Sequence, residues 1–283
     1  MRRIPSALGR GRCLTVALIL SMVLMAAAFS PKPASAGLPP VGPLVVGTVG
    51  QQGFGTIKGR LVWGGDAAPE AKVLRATGKA ETDPTVCAAT SPLIDNGVLV
   101  DPKTKGIKFG MVYLVKPSGK NPEAEKALLK KAAKVVLDQK NCEYIPYALA
   151  LHKDQKLVFK SSDPVAHNVH FSPFENDPFN LSVPANGEFE KTLKPERRAI
   201  SVTCDIHPWM QGWVMVFDHP FFAITGEDGS FEISGVPAGT QNLVIWQAKS
   251  GYVTTGLAKG MPVKVAAGAT VDIGEVKFKV KKK

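Results

Sequence analysis

One short segment carries three side chains of the kind that bind soft metal ions. The segment Cys204–Met210 has the pattern Cys-x2-His-x2-Met, so a thiol, an imidazole and a thioether follow one another at intervals of three. Alternating apolar residues at Ile200–Thr203 and Trp213–Phe217 are typical of strands on either side. Three donors on a tight loop between two strands can converge on one ion.

A fourth donor, His167, lies upstream and is followed directly by Asn168. A thiolate with two imidazoles suits copper, and a weak axial methionine completes the blue-copper arrangement. Taken singly, Cys204 and Met210 are more often buried apolar residues, and His207 a surface loop residue. Because all four occur together, we predict one copper ion bound by His167, Cys204, His207 and Met210.

Three further histidines are predicted to lie outside the site. His170 is three positions from His167, so the two should point to opposite faces of a strand. We expect His219 to be structural, where a strand ends, and His152 to be solvated in a Lys-Asp turn.

The surrounding sequence predicts an all-β protein. Short alternating segments are separated by Gly, Pro, Asn and Asp, which is the pattern of a β-sandwich. One stretch differs, because Pro122–Leu137 has helical spacing of apolar residues and places Glu123 and Glu125 before its lysines. We predict a single inserted helix near 122–137.

About a quarter of the chain resembles the cupredoxin family, which includes plastocyanin and amicyanin. Leu157–Asp163 is similar to the family's strand before the first ligand, and His167-Asn168 to its His-Asn pair. The two-residue gap between His207 and Met210 is similar to the short ligand loop of amicyanin. The resemblance implies a Greek-key β-sandwich with a type 1 copper site.

The resemblance also implies a role for each matching residue. His167 Nδ1, Cys204 Sγ and His207 Nδ1 would be the strong ligands, with Met210 Sδ axial. Asn168 would act from outside the ligand set, tying the strand of the first ligand to the cysteine loop.

A docking surface is a further expectation from the resemblance. In cupredoxins the second histidine ligand reaches the surface within an apolar patch, and here His207 is flanked by Ile206, Pro208 and Trp209. Because exposed tryptophan often dominates binding energy, Trp209 is the expected docking residue for a redox protein partner. The alternative is that Trp209 packs inward over the copper core.

Two parts of the chain that are far apart in the sequence together resemble a second kind of domain. Gly55–Val62, together with Asp228–Ile233 and Val236–Thr240, is similar to carboxypeptidase-regulatory-like, transthyretin-like sandwiches. We therefore predict a regulatory-like sandwich at 53–116 and 221–283, with a cupredoxin-like domain at 118–219 inserted in or fused to it. One continuous sandwich with decorated loops is the alternative.

The start of the chain predicts export. Basic residues, the apolar run Leu14–Phe29 and the triplet Ala34-Ser35-Ala36 together form the pattern of a secretory signal peptide, residues 1–36. A membrane anchor is the alternative, although the run is shorter than the roughly 20 residues of a spanning helix. We expect cleavage, a linker at 37–52, no membrane span afterwards, and a periplasmic or extracellular protein.

The cysteines remaining after cleavage are Cys87, Cys142 and Cys204. In an oxidising compartment two of three cysteines usually pair, and the third needs another role. Since Cys204 has histidine and methionine at ligand spacing, we predict a disulfide between Cys87 and Cys142.

Charge and histidine count narrow the possible functions. The net charge of +11 falls to about +6 without the signal peptide, and the remaining lysine clusters carry no nucleic-acid motif. A multicopper oxidase or copper nitrite reductase needs further histidines, whereas this chain has five and no His-x-His pair. We predict one-electron transfer and no enzyme activity. Copper carriage or storage, and an extracellular binding or adhesion sandwich, remain open.

Overall fold

The structure, a computed structural model, describes residues 53–279. Four strands come first: β1 (Phe54–Trp63), β2 (Val73–Arg75), β3 (Leu93–Ile94) and β4 (Met111–Val115). The helix α1 (Pro122–Lys131) is followed by nine strands: β5 (Lys134–Lys140), β6 (Glu143–Ile145), β7 (Ala148–His152), β8 (Lys156–Ser161), β9 (His167–Ser172), β10 (Phe179–Val183), β11 (Glu188–Lys191), β12 (Ile200–Thr203) and β13 (Gln211–Phe217). Six strands complete the described chain: β14 (Phe222–Ile224), β15 (Ser230–Pro237), β16 (Gly239–Gln247), β17 (Gly251–Tyr252), β18 (Met261–Val265) and β19 (Thr270–Phe278). A 3-10 turn, Leu257–Lys259, separates β17 from β18, and the predicted all-β fold is confirmed.

One pair of sheets, here called the outer sandwich, uses strands from both ends of the described chain. Its first sheet has the order β15-β1-β19, and its second has the order β14-β4-β16-β17, with β18 also paired to β16. β1 is antiparallel to β15 and parallel to β19. Leu61, Val112, Phe231 and Leu243 are among the buried side chains between the two sheets.

The second pair of sheets, here called the inner sandwich, is built from the continuous stretch 134–217. Its sheets have the orders β10-β9-β12-β13-β7 and β11-β8-β5-β6. Successive residues of a strand point to opposite faces, so alternate residues of these strands turn into the space between the two sheets. Leu137, Phe159, Phe171, Val202 and Val214 lie in the resulting core.

A third apolar cluster joins the two sandwiches. On β4, Val112 faces the outer core while Met111 and Tyr113 face the strands of the inner sandwich. Met215 and Phe217 of β13 meet them, and the rings of Tyr113 and Phe217 have centroids 5.0 Å apart. The sheet containing β4 is therefore buried on both faces, which explains why β4 reads as an uninterrupted apolar run.

The segment 73–94, here called the cover segment, begins with β2 and ends with β3, which pair with each other. Ala80, Cys87 and Leu93 from this segment are buried in the core of the inner sandwich, although the predicted boundaries assign them to the outer one. Cys87 forms a disulfide with Cys142, so that prediction is confirmed. The disulfide fixes the cover segment to the inner sandwich across 55 positions of sequence.

The helix prediction near 122–137 is correct only at its start. Asn121 caps the helix by accepting the N–H of Ala124 at 3.0 Å, and Pro122 occupies the first turn, where its missing N–H costs nothing. The helix ends at Lys131, and Val135 and Leu137 belong to β5, which pairs with β8 in parallel. β-Branched residues and burial of Leu137 favour the strand over continuation of the helix.

The predicted signal peptide, 1–36, and linker, 37–52, lie outside the described residues. Within 53–279, no helix combines the length and the apolar character needed to cross a membrane.

Candidate metal centre

The predicted ligand loop connects two neighbouring antiparallel strands. Its ends are held together because Thr203 of β12 pairs with Gln211 of β13. The loop closes with a turn in which the N–H of Met210 donates to the carbonyl of His207 at 2.9 Å. This geometry turns the side chain of Cys204 into the core between the sheets.

Three of the predicted ligands meet in one buried space. His167 begins β9, which pairs with β12, and its Nδ1 lies 3.0 Å from Nδ1 of His207. Sγ of Cys204 lies 3.8 Å from the same His207 nitrogen. One donor atom from each of these residues lies within 4.8 Å of the other two, and each residue is at most 2% exposed. The set is therefore one sulfur and two nitrogens shielded from water.

Both imidazoles are held by carboxylates at their far nitrogens. Nε2 of His167 lies 2.9 Å from an oxygen of Asp163, and Nε2 of His207 lies 2.9 Å from an oxygen of Asp83. Asp163 is itself fixed, because the backbone N–H groups of Asn141 and Cys142 donate to it. Because Nε2 of each ring bonds to a carboxylate, Nδ1 of each ring faces the centre of the site. Carboxylates orient metal-bound histidines in the same way.

The thiol of Cys204 and the imidazole of His167 have pKa values shifted in opposite directions. Burial raises the pKa of Cys204, but hydrogen bonds from His167 and His207 outweigh it and lower the pKa to about 6. Burial lowers the pKa of His167, but its bonds to Asp163 and Cys204 outweigh it and raise the pKa to about 9. Around neutral pH the metal-free site therefore holds a thiolate beside an imidazolium.

Asn168 connects the two elements that carry the donors. Its Oδ1 lies 3.2 Å from Sγ of Cys204 and accepts the N–H groups of Asp205 and Ile206 at 2.7 and 3.3 Å. Its Nδ2 donates to Asn180 on β10 and to Asp205. The cysteine end of the loop is thereby fastened to β9.

Met210 and Trp209 close the loop on the side of the cover segment. Met210 is 1% exposed and lies in the same apolar core as Cys204. Trp209 is partly buried, its ring packs edge-on against His207 with centroids 5.4 Å apart, and its Nε1–H donates to the carbonyl of Cys142 at 3.2 Å. The guanidinium of Arg75 lies 4.7 Å from the centre of the Trp209 ring. Trp209 is thus a packed residue as well as a neighbour of the site.

The expectation that His207 reaches the surface is wrong. Its side chain is fully buried, because Asp83 covers the Nε2 edge and Trp209 packs against the ring. In contrast, Ile206 beside it is 40% exposed.

The remaining histidines lie apart from this group of donors. His170 is exposed and bonds to Asp205 at 3.0 Å, and Nε2 of His219 donates to the carbonyl of Leu114 at 3.1 Å. Burial lowers the pKa of His219 to about 4, which keeps the ring neutral.

The expectation for His152 is wrong, because the residue is fully buried rather than solvated. Its Nε2 lies 3.7 Å from the carboxylate of Glu125, and its Nδ1 accepts the N–H of Asp154. The ammonium of Lys153 lies 2.8 Å from both Asp154 oxygens. The carboxylate of Asp154 is therefore already paired with the ammonium of Lys153.

Sequence reasoning missed three residues around the donors. Asp163 lies four positions before His167, at the start of a bend that covers 163–165, and this short separation in the sequence was the available signal. Tyr144 was also missed, although its hydroxyl lies 2.9 Å from the carbonyl of Thr203, beside the cysteine. Asp83 gave no signal, since 124 positions separate it from His207.

Solved copper proteins are similar to part of this chain. A copper-containing nitrite reductase from Thermus scotoductus SA-01 is 19% identical over 30% of this chain and 22% of its own, with a TM-score of 0.27. Amicyanin from Paracoccus versutus is 19% identical over 30% of this chain and 89% of its own, with a TM-score of 0.27. A purple cupredoxin from Nitrosopumilus maritimus is 21% identical over 30% of this chain and 98% of its own, with a TM-score of 0.25.

These likenesses are confined to less than a third of the chain and are too weak to indicate function. The transthyretin-like resemblance of the flanking segments finds no support among them. No protein-family model and no curated protein matches the sequence. The function must therefore be inferred from the donor atoms and their surroundings.

Proposed function

We propose that this chain is an exported type 1 copper protein that transfers single electrons. One observation carries the proposal: His167 Nδ1, Cys204 Sγ and His207 Nδ1 lie close together in the protein interior, and both Nε2 atoms bond to carboxylates. A thiolate with two imidazoles is the donor set that suits copper. When bound, copper would supply the change between Cu(I) and Cu(II).

The residues around the donors support this function by limiting movement. Asp163 and Asp83 orient the two rings, and Asn168 fastens the loop to β9. Because these hydrogen bonds hold the donor side chains in place, little rearrangement would be needed when the charge of the ion changes. We assign Met210 the weak axial position because it is the buried thioether at the end of the same loop.

The test is to add Cu(II) to the purified protein and to record visible absorption and electron paramagnetic resonance. We expect an intense thiolate charge-transfer band with narrow copper hyperfine splitting. Cys204→Ser should lose the band while keeping the circular dichroism spectrum of the native protein. A colourless protein that prefers Zn(II) or Cu(I) would contradict electron transfer and favour copper carriage. A band that persists in Cys204→Ser would contradict the site itself.

The proposal extends to compartment and to the absence of catalysis. The disulfide between Cys87 and Cys142 supports an oxidising compartment, either the periplasm or the outside of the cell. We propose no catalytic role, because the sequence lacks the His-x-His pairs of copper enzymes. Nitrite reduction or oxidase turnover by the copper-loaded protein would contradict this.

We further propose a redox protein as the partner, docking over the ligand loop. Ile206 is 40% exposed, and Trp209 is partly exposed while its ring contacts His207. Trp209→Ala should retain the copper spectrum, and its rate of electron self-exchange should fall. Trp209→Phe should also retain the spectrum, with a smaller decrease in that rate. Loss of copper or of folding in both variants would place Trp209 in the core and move the docking face elsewhere.

A further inference from the structure

The cover segment brings a charged residue to the metal centre from a distant part of the sequence. Asp83 lies between β2 and β3, and one of its carboxylate oxygens is 2.9 Å from Nε2 of His207. The side chain of His207 is completely buried beneath it, while that of Asp83 is 37% exposed. Asp83 therefore stands between the histidine and the solvent.

The backbone fixes Asp83 in this place. Its φ of 47° lies in the left-handed region, which few residues other than glycine adopt, and its carbonyl accepts the N–H groups of Val86 and Cys87 at 2.9 and 2.8 Å. Cys87 is bonded to Cys142 on the inner sandwich. A tight turn anchored by a disulfide thus presents the carboxylate to the ring.

We propose that Asp83 is a positioning residue of the metal centre, which orients His207 and closes its outer edge to direct contact with a partner. This inference rests on the proposed copper function. A carboxylate that accepts from Nε2–H selects the tautomer whose Nδ1 has a free lone pair, and it makes the ring a stronger donor. The first effect favours binding of copper in either oxidation state. The stronger donor favours Cu(II) over Cu(I), so Asp83 lowers the reduction potential.

The two carboxylates of the site differ in how they are held. Asp163 is 5% exposed at its side chain and receives two backbone N–H groups, so its removal would leave buried donors without an acceptor. The side chain of Asp83 is 37% exposed and contacts the site only on its solvent side, at Nε2 of His207. Its removal therefore changes His207 with less damage to the core, which makes it the informative residue to vary.

The experiment compares Asp83→Ala with Asp83→Asn, and uses Glu70→Gln as the control because Glu70 is an exposed acidic residue just before the cover segment. In metal-free protein with ¹⁵N-labelled histidine, nuclear magnetic resonance follows the slowly exchanging Nε2–H signal of His207. In copper-loaded protein, three quantities are measured: Cu(II) affinity by chelator competition, the reduction potential, and the rate of electron exchange with a small inorganic complex.

We expect Asp83→Ala to lose the slow Nε2–H signal, to bind Cu(II) about 10–100-fold more weakly, to have a raised potential and to exchange electrons faster. Asp83→Asn, whose amide oxygen still accepts a hydrogen bond, should recover the signal and part of the affinity. Glu70→Gln should match the unmodified protein in every measurement.

An Asp83→Ala protein equal to the unmodified one in Nε2–H exchange, affinity and potential would overturn the proposal. If Asp83→Ala does not fold, Asp83→Asn decides alone, and an unchanged potential in that variant overturns the proposal. Failure of the copper function looks different. The unmodified protein would then lack the thiolate band while the Nε2–H signal still depended on Asp83.

Discussion

In the proposed copper centre, the lowered pKa of Cys204 and the raised pKa of His167 leave the proton on the imidazole and not on the thiol. With pKa values of about 6 and about 9, the thiol is deprotonated and the imidazole protonated between those limits. A metal ion needs the thiolate and a neutral ring, so binding must release the proton of His167. Proton release thus links the affinity of the centre to pH.

The affinity for Cu(II) should accordingly rise about tenfold per pH unit between pH 6 and pH 9, since one proton leaves on binding. Below pH 6 the thiol of Cys204 must also lose its proton, so the slope should become steeper. Above pH 9 the slope should vanish. Chelator competition across this range measures it, with Asp163→Asn as the comparison because its loss should shift the upper limit downward. An affinity independent of pH would contradict the charge assignment.

Met210 provides a second prediction at this scale. Met210→Gln should retain copper and lower the reduction potential, because a harder oxygen donor favours Cu(II) over Cu(I). Voltammetry of the copper-loaded variant measures the shift. Met215→Leu serves as control, since Met215 is a buried methionine of β13 that packs in the cluster between the sandwiches. Equal potentials for Met210→Gln and the unmodified protein would make Met210 a core residue only.

At the scale of elements, the ligand loop was the part most open to prediction. The alternation before Cys204 and after Met210 is a local pattern, and the structure has β12 and β13 there. The end of α1 was missed because β5 forms through pairing with β8, which a helical spacing of apolar residues does not reveal. Asp83 was missed for the same reason, since its contact with His207 is made only in the folded chain.

The cover segment depends on its disulfide, which gives a prediction for that element. Replacing both Cys87 and Cys142 by alanine should lower the free energy of unfolding by about 4 kcal/mol, because the disulfide closes a loop of 55 residues. The affinity for Cu(II) should also fall, since Asp83 lies four positions before Cys87. Denaturant unfolding and chelator competition measure the two effects. Lower stability with unchanged affinity would show that Asp83 does not need the disulfide.

Across the whole molecule, the sheet containing β4 and β16 acts as a shared middle layer. Val112 and Leu243 face the outer core, while Tyr113 and Val244 face the inner sandwich. The sequence indicated that these strands are apolar, but it did not indicate that both faces are covered. That information lies in the packing of β13 against β4, which are about 100 positions apart in the chain.

The pairing of β1 has a consequence for the order in which the protein folds. Apart from a bridge between Val62 and Gly106, β1 pairs in the described chain with β15 and β19, which begin only at residue 230, whereas all strands of the inner sandwich lie within 134–217. Distant pairings form late because long loops must close first. We expect pulse-labelled hydrogen exchange during refolding to protect the amides of β9 and β12 before those of β1. Protection of β1 first would contradict this order. The inner sandwich, which carries the four proposed copper ligands, would then form while β1 and β19 are still apart, so the proposed uptake of copper would not have to wait for the outer sandwich to close.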